Sequence, residues 1–408
     1  MSNRPVSPTR PQHGAALLLA LLVALTLSLS WFFKAATPLS AKLAGEQRTA
    51  RALAQAKAAL IAWSVVQGDM GAGIFDRPGS LPCPDRENSG IAPGSCTSAG
   101  AGSSIGRLPW KTLGIEDLRD ADGERLWYAL SNSFRVTHSA AINSDTRGQL
   151  QLYAADGTTL LTPAGEELAA IIFSAGPPLA GQDRATAPLL AANYLDAASP
   201  WNNAKAPGPF ISGPLGNAQG EIVINDRAMA LSTRELIGAV EQRALKEAQS
   251  ALAAFALAHG AKYPNPAKSN DATCLSTISN IKSNNTCASA GSDACFGRFP
   301  EDSPGATLAP WFLRNGWGRV MVYAVNKNSV VDPGAAECST ALNVDGASAD
   351  YLLLAPGSAR HGQSRPSPSL ASYLDDGANN DAWTSGSIGQ AIFAKPSTAS
   401  NDTLRSRP

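Results

Sequence analysis

The chain is poor in the residues that most chemistry needs. Only four His (His13, His138, His259, His361) stand among 408 residues, too few to suggest a metal or acid–base centre. Charged residues make up 16%, against roughly 25% in an average soluble domain. Bases and acids number 33 each, so the formal net charge is zero. That excludes a broad electrostatic attraction to nucleic acid or anionic lipid. The chain has no Cys-x₂₋₄-Cys pair, no glycine-rich phosphate loop ending in Gly-Lys-Ser/Thr and no His-x-x-x-His helix. Gly102-Ser-Ser104-Ile-Gly106 has the spelling of a G-x-S-x-G nucleophile elbow. No apolar strand precedes it and Arg107-Leu108-Pro109 follows where a helix is required, so it reads as a loop. These absences point away from an enzyme, with a hydrolase the weakest of the readings.

What is present begins with a long uncharged run from Ala15 to Phe33. At 1.5 Å per residue it spans roughly 28 Å, close to a hydrocarbon core, and Trp31 suits its interface. Three readings of this run stay open. It is a cleavable secretory signal ending near Ser28-Leu29-Ser30, a plain signal anchor, or the helix behind a prepilin-type leader. The last is favoured because Gly14 abuts the run, whereas a secretory signal places its small residues after it. Beyond the run, Leu53, Ala56, Leu60 and Trp63 form a helical stripe. The pattern predicts one helix over 15–66, membrane-spanning over 15–33, with a kink at Pro38.

The body repeats itself. Arg51-Ala-Leu-Ala-Gln-Ala-Lys-Ala-Ala-Leu-Ile-Ala-Trp63 returns as Arg243-Ala-Leu-Lys-Glu-Ala-Gln-Ser-Ala-Leu-Ala-Ala-Phe255. Cys83 and Cys96 return as Cys274 and Cys287, and Gly106-Arg-Leu-Pro109 as Gly297-Arg-Phe-Pro300. The stretch Asp122 to Tyr128 returns as Asn315 to Tyr323. Ile171 to Gly176 followed by Asn193-Tyr-Leu-Asp196 parallels Tyr351 to Gly357 followed by Ser372-Tyr-Leu-Asp375. The expected organisation is therefore α+β, with a leader over 1–14 and the helix over 15–66. A first module covers 67–227 and a second 228–408, the latter with its own helix over 232–259. Ser232-x-x-Glu235 is a capping box at the start of that helix. Each module reads as a helix on a small antiparallel sheet. Long polar loops, Ala355–Pro368 among them, are expected on the surface.

The long N-terminal helix and the blocks Asn315-Gly-Trp-Gly-Arg-Val-Met-Val-Tyr323 and Asp375-Asp-Gly-Ala-Asn-Asn-Asp-Ala-Trp383 resemble those of type IV pilins and type II secretion pseudopilins. Pseudopilins carry one head and this chain carries two. The resemblance implies a non-enzymatic minor subunit of a pilus or secretion filament, acting in assembly or at the tip. It implies cleavage by prepilin peptidase between Gly14 and Ala15, methylation of the new N-terminus and contacts with other pilin or pseudopilin subunits. Leu19 would become the fifth mature residue, where most pilins place a Glu. The location implied is the bacterial inner membrane, single-pass, with the body in the periplasm, or a place within a pilus or pseudopilus. The alternative is a stand-alone membrane-anchored envelope binding protein. No nucleic-acid partner and no required cofactor are expected.

Six Cys in an exported body point to disulfides. If Cys83–Cys96 is a bond, the duplication makes Cys274–Cys287 its counterpart, leaving Cys295 with Cys338. The acidic loop holding Asp375, Asp376 and Asp381 matches one that binds calcium in major pseudopilins, so Ca²⁺ is implied there; Asx turns are the competing explanation. The first module keeps only Asp196 at that place and is expected to be metal-free.

Overall fold

The computed structural model of the chain describes residues 13–67, 77–96, 104–137, 140–162, 165–185, 190–267, 295–301, 307–331, 341–367, 372–379, 390–395 and 400–407. Helix α1 (His13–Val66) runs on through Pro38. Its last turns bury a stripe made of Ala52, Leu53, Ala56 and Leu60, spaced to fall on one side of a helix. Ahead of the stripe, Leu18, Leu19, Leu21, Leu22, Val23, Leu25 and Leu27 are exposed.

Among the described residues, no helix is long and apolar enough to cross a membrane. This corrects the expected membrane-spanning segment over 15–33. It also corrects the fold class built on a transmembrane helix and the single-pass inner-membrane location with the body in the periplasm. The physical reason lies in how α1 gains its length. Lys42, Glu46, Arg48, Arg51 and Lys57 recur almost every turn in its second half, and the contacts it makes there are to protein. Apart from α1 and the second long helix, the chain is built mostly of short strands.

The stripe on α1 packs on a four-stranded sheet of β1 (Ser104–Arg107), β2 (Trp127–Leu130), β3 (Leu168–Ser174) and β4 (Arg227–Ser232). The strands lie in that order and every neighbouring pair is antiparallel. Residues alternate between its faces, as a strand's period of two requires. Tyr128 and Leu130 meet α1, whereas Trp127 and Ala129 join Phe173 and Phe210 on the far side. With both faces covered, all seven residues of β3 are buried, and the strand is apolar throughout rather than alternating.

Helix α2 (Thr233–Ala258) follows β4 without a linker. Ser232 ends the strand and caps the helix: its Oγ accepts the Glu235 amide while the Glu235 side chain accepts the Ser232 amide. Leu236 and Ile237 belong to the core of the first module, and residues from Val240 onward to that of the second. Residues 228–232, read from sequence as the opening of the second module, thus belong with Arg227 to the fourth strand of the first sheet.

The second module repeats the first. Strands β5 (Phe296–Arg298), β6 (Val322–Val325), β7 (Tyr351–Ala355) and β8 (Thr403–Arg407) form an antiparallel sheet in the same sequential order. Ala244, Leu245, Ala248 and Leu252 of α2 cover one face with Tyr323 and Leu353. A ribbon of Ala341–Val344, Ala347–Ser348 and Gln390–Phe393 covers the other. Two short helices, α3 (Pro310–Arg314) and α4 (Trp317–Val320), lead into β6.

Gly106 and Gly297 mark the same close approach in each copy. A Cβ on Gly106 would lie 2.6 Å from the Asp85 carbonyl, and one on Gly297 would collide with the Ala267 carbonyl. The passing segments pair through Asp85 with Arg107 and through Ala267 with Arg298. Cys274 lies outside the described residues. Two other expectations change. Ser104–Arg107 is an edge strand rather than a loop, and in the Ala355–Pro368 segment Ala355 to Ser358, Arg365 and Ser367 are buried.

Candidate functional site

The polar residues at the carboxyl ends of β3 and β7 form the same clasp twice. In the first module Arg107 lies 4.1 Å from the Tyr194 ring and 4.3 Å from Trp127, and Arg184 lies 5.2 Å from Tyr194. In the second, Arg298 and Arg365 lie 5.0 and 4.7 Å from Tyr373. Arg184 donates to the carbonyls of Gly176 at 2.7 Å and Tyr194 at 3.2 Å. Arg365 does the same to Gly357 at 2.8 Å and Tyr373 at 2.7 Å. Each guanidinium thus ties a strand end to the Tyr-Leu-Asp turn while spreading its charge over an aromatic face.

A pair of carboxyl groups completes each clasp. Asp226 Oδ2 accepts the Asp196 amide at 2.7 Å, and Asp196 Oδ2 accepts the Asp226 amide at 3.2 Å. Asp402 likewise accepts the amides of Asp375 and Asp376, each at 3.2 Å. Burial, together with the neighbouring carboxylate, raises Asp226 far above the ordinary range. The same causes push Asp402 up to about 8, so it holds a proton beside an ionised Asp375.

The second clasp differs in reaching the first module. The Tyr373 hydroxyl donates to Asp145 Oδ2 at 3.0 Å. Next to it, Ser144 Oγ donates to Glu241 Oε1 at 2.5 Å. Asn315 accepts the Ile142 amide at 3.1 Å, and its carbonyl accepts Asn143 Nδ2 at 2.8 Å. Glu241 is wholly buried, and burial raises it to about 7. Between the modules lies a cavity of about 380 Å³ whose wall includes Asn143, Asp145, Arg147, Arg319 and Tyr373. One carboxyl and two guanidinium groups there can hold a polar group. Among the described residues neither His259 nor His361 hydrogen-bonds to a serine or cysteine; His259 stacks on Phe255 at 3.8 Å.

Of the residues singled out from sequence, Cys83 and Cys96 are joined in a disulfide. Cys295 is also disulfide-bonded, while Cys274, Cys287 and Cys338 lie outside the described residues. Gly14 and Ala15 fall in the first turn of α1. Asp375 accepts Arg360 Nη1 at 2.6 Å and Ser400 Oγ at 2.7 Å. Asp376 Oδ1 accepts the Ala378 amide at 3.1 Å, an Asx turn. Asp381 lies outside the described residues, and among the described ones no cluster of three or more metal-ligating side chains occurs. Sequence reasoning missed Arg184 and Arg365. They precede their tyrosines by 10 and 8 residues, so a block-by-block match passes over them; an alignment allowing that loop to vary would have paired them. No family model, curated protein or solved structure matches the chain.

Proposed function

We propose that the chain is a non-enzymatic minor pilin-like or pseudopilin-like subunit that acts in assembly or at the tip of a filament. The observation that carries this reading is the division of labour along α1. Its last turns are buried in a head made of a helix on an antiparallel sheet, while Leu18, Leu19, Leu21, Leu22, Val23, Leu25 and Leu27 are exposed among the described residues. A helix that is apolar all round is built to be covered. In a filament the covering surfaces are the equivalent helices of neighbouring subunits. Leu19, 70% exposed, carries no carboxylate to meet the N-terminal amine of a neighbour, which suits a position where one such pairing is not needed. The two clasps and the contacts between the modules tie the heads together, and the work assigned to the heads is contact.

Co-expression with a prepilin peptidase, followed by mass spectrometry of the mature N-terminus, tests this. The expected product begins at Ala15, and Gly14→Leu abolishes its formation. An intact leader in the wild-type chain would overturn the reading and leave a stand-alone binding protein.

A further inference from the structure

Module two receives module one through a defined set of contacts, and the duplication supplies a second, unoccupied copy of both sides. On the receiving side, Arg243 of α2 donates from Nη1 to the carbonyls of Val65 and Gln67 at the end of α1, the latter at 2.9 Å. Val65 packs on the second core, where Trp311 lies under Arg243 at 4.7 Å. The repeat that pairs Arg51 with Arg243 pairs Val65 with Leu257 and Gln67 with His259. Among the described residues the His259 side chain partners only its own helix, through Phe255. Leu257 is 89% exposed at the end of α2. Arg51 is exposed and, among the described residues, makes no hydrogen bond or ion pair. Beside Arg51 lies an open groove of about 560 Å³, bordered by Ala44, Arg48, Gln55, Asp117 and Arg119.

The geometry points to head-to-tail docking of a second copy of this chain, the end of its α2 seated in the first-module groove and Leu257 taking the place that Val65 holds within one chain. Charge complementarity supports that occupant. A helix C-terminus carries partial negative charge on its free carbonyls, and α2 has no basic residue in its last turn to neutralise it. Arg48 and Arg51 supply the missing cations. The Lys57–Glu235 ion pair at 2.5 Å has no counterpart, because Gln249 and the 51%-exposed Leu43 stand at those places; the copied contact there carries no ion pair. Such an interface joins two different surfaces, so copies add head to tail, into a ring or an open chain as the rotation between them dictates. The inference stands on the internal repeat and does not need the filament reading.

A benzophenone amino acid in place of Leu257, in a mixture of isotopically heavy and light full-length chains at about 0.1 mM, a concentration suited to a weak interface, tests it. Heavy–light cross-links from position 257 to residues 44–55 or 116–119 are expected. Arg51→Glu and Arg48→Glu, both on exposed positions that leave the fold intact by circular dichroism, are expected to lower their yield at least tenfold. Cross-links confined to single chains, absent, mapping elsewhere, or indifferent to both charge reversals would overturn it.

Discussion

Tyr194 and Tyr373 occupy the same place in the two modules, each with its ring against a pair of guanidinium groups, yet they face different neighbours. Tyr194 sits between Arg107 and Arg184 of its own module, whereas the Tyr373 hydroxyl crosses to Asp145 of the other. The duplication has turned an internal fastening into a joint.

Tyr373→Phe removes the donor at that joint and leaves a carboxylate oxygen without it, at a cost of about 1–3 kcal/mol. Asp145→Asn keeps an acceptor for the hydroxyl, and burial already raises the Asp145 pKa, so it costs less. Urea unfolding of both variants checks the order; the reverse ranking would show that the hydroxyl does not hold the seam.

Glu241 makes stability depend on pH in a direction opposite to most carboxylates. Its folded value of about 7 lies above the ordinary 4.5 because burial outweighs the Ser144 hydroxyl and the Arg365 charge. The folded chain keeps a proton that the unfolded chain loses, so Glu241 withdraws stability as pH rises from about 4.5 to 7. The loss levels off above that window at roughly 3 kcal/mol. Glu241→Gln is expected to flatten this part of the profile and to raise the melting temperature above pH 7. A variant equally stable to wild type at pH 5 and at pH 8 would refute the assignment.

Gly106→Ala and Gly297→Ala are both expected to destabilise by about 2 kcal/mol or more, because backbone carbonyls occupy the space a methyl would need. Gly238→Ala, in α2 with nothing within 4 Å of the added carbon, is expected to stabilise by about 0.5–1 kcal/mol. Thermal melts of the three variants should separate them cleanly by sign.

Replacing Cys83 and Cys96 together by Ala reopens a loop with a sequence separation of 13. Chain entropy puts the cost at about 3 kcal/mol. An unchanged urea midpoint would mean that the surrounding loop is held by its other contacts. Non-reducing peptide mapping of the same preparations is expected to show Cys274–Cys287 and Cys295–Cys338 as well.

The helices were legible because their signals are local. The Ser232–Glu235 box and the Leu53–Leu60 stripe each declare themselves within a few turns. The repeat was legible because glycines at a close approach and apolar central strands tolerate little change, as Gly106 and Gly297 show. The clasps were not, since Arg107, Tyr194 and Arg184 are brought together from separate segments by the sheet, and no spacing rule joins them. The uncharged run after Gly14 misleads because the apolar residues of one segment say nothing of what the rest of α1 does. The seam was invisible for a related reason. Ser144, Glu241 and Tyr373 are ordinary polar residues until two modules press them together.

No hinge separates the two modules, because Ser232 is at once the last residue of a strand and the cap of a helix. Bending there would pull Leu236 out of one core and Val240 out of the other. The chain therefore works as a ruler. Any feature present in both modules, such as the Arg–Tyr clasp, is spaced by this continuous strand–helix connection. A partner that touches both copies reads distance as well as chemistry, and an insertion between residues 232 and 236 would abolish that measurement while leaving each clasp intact.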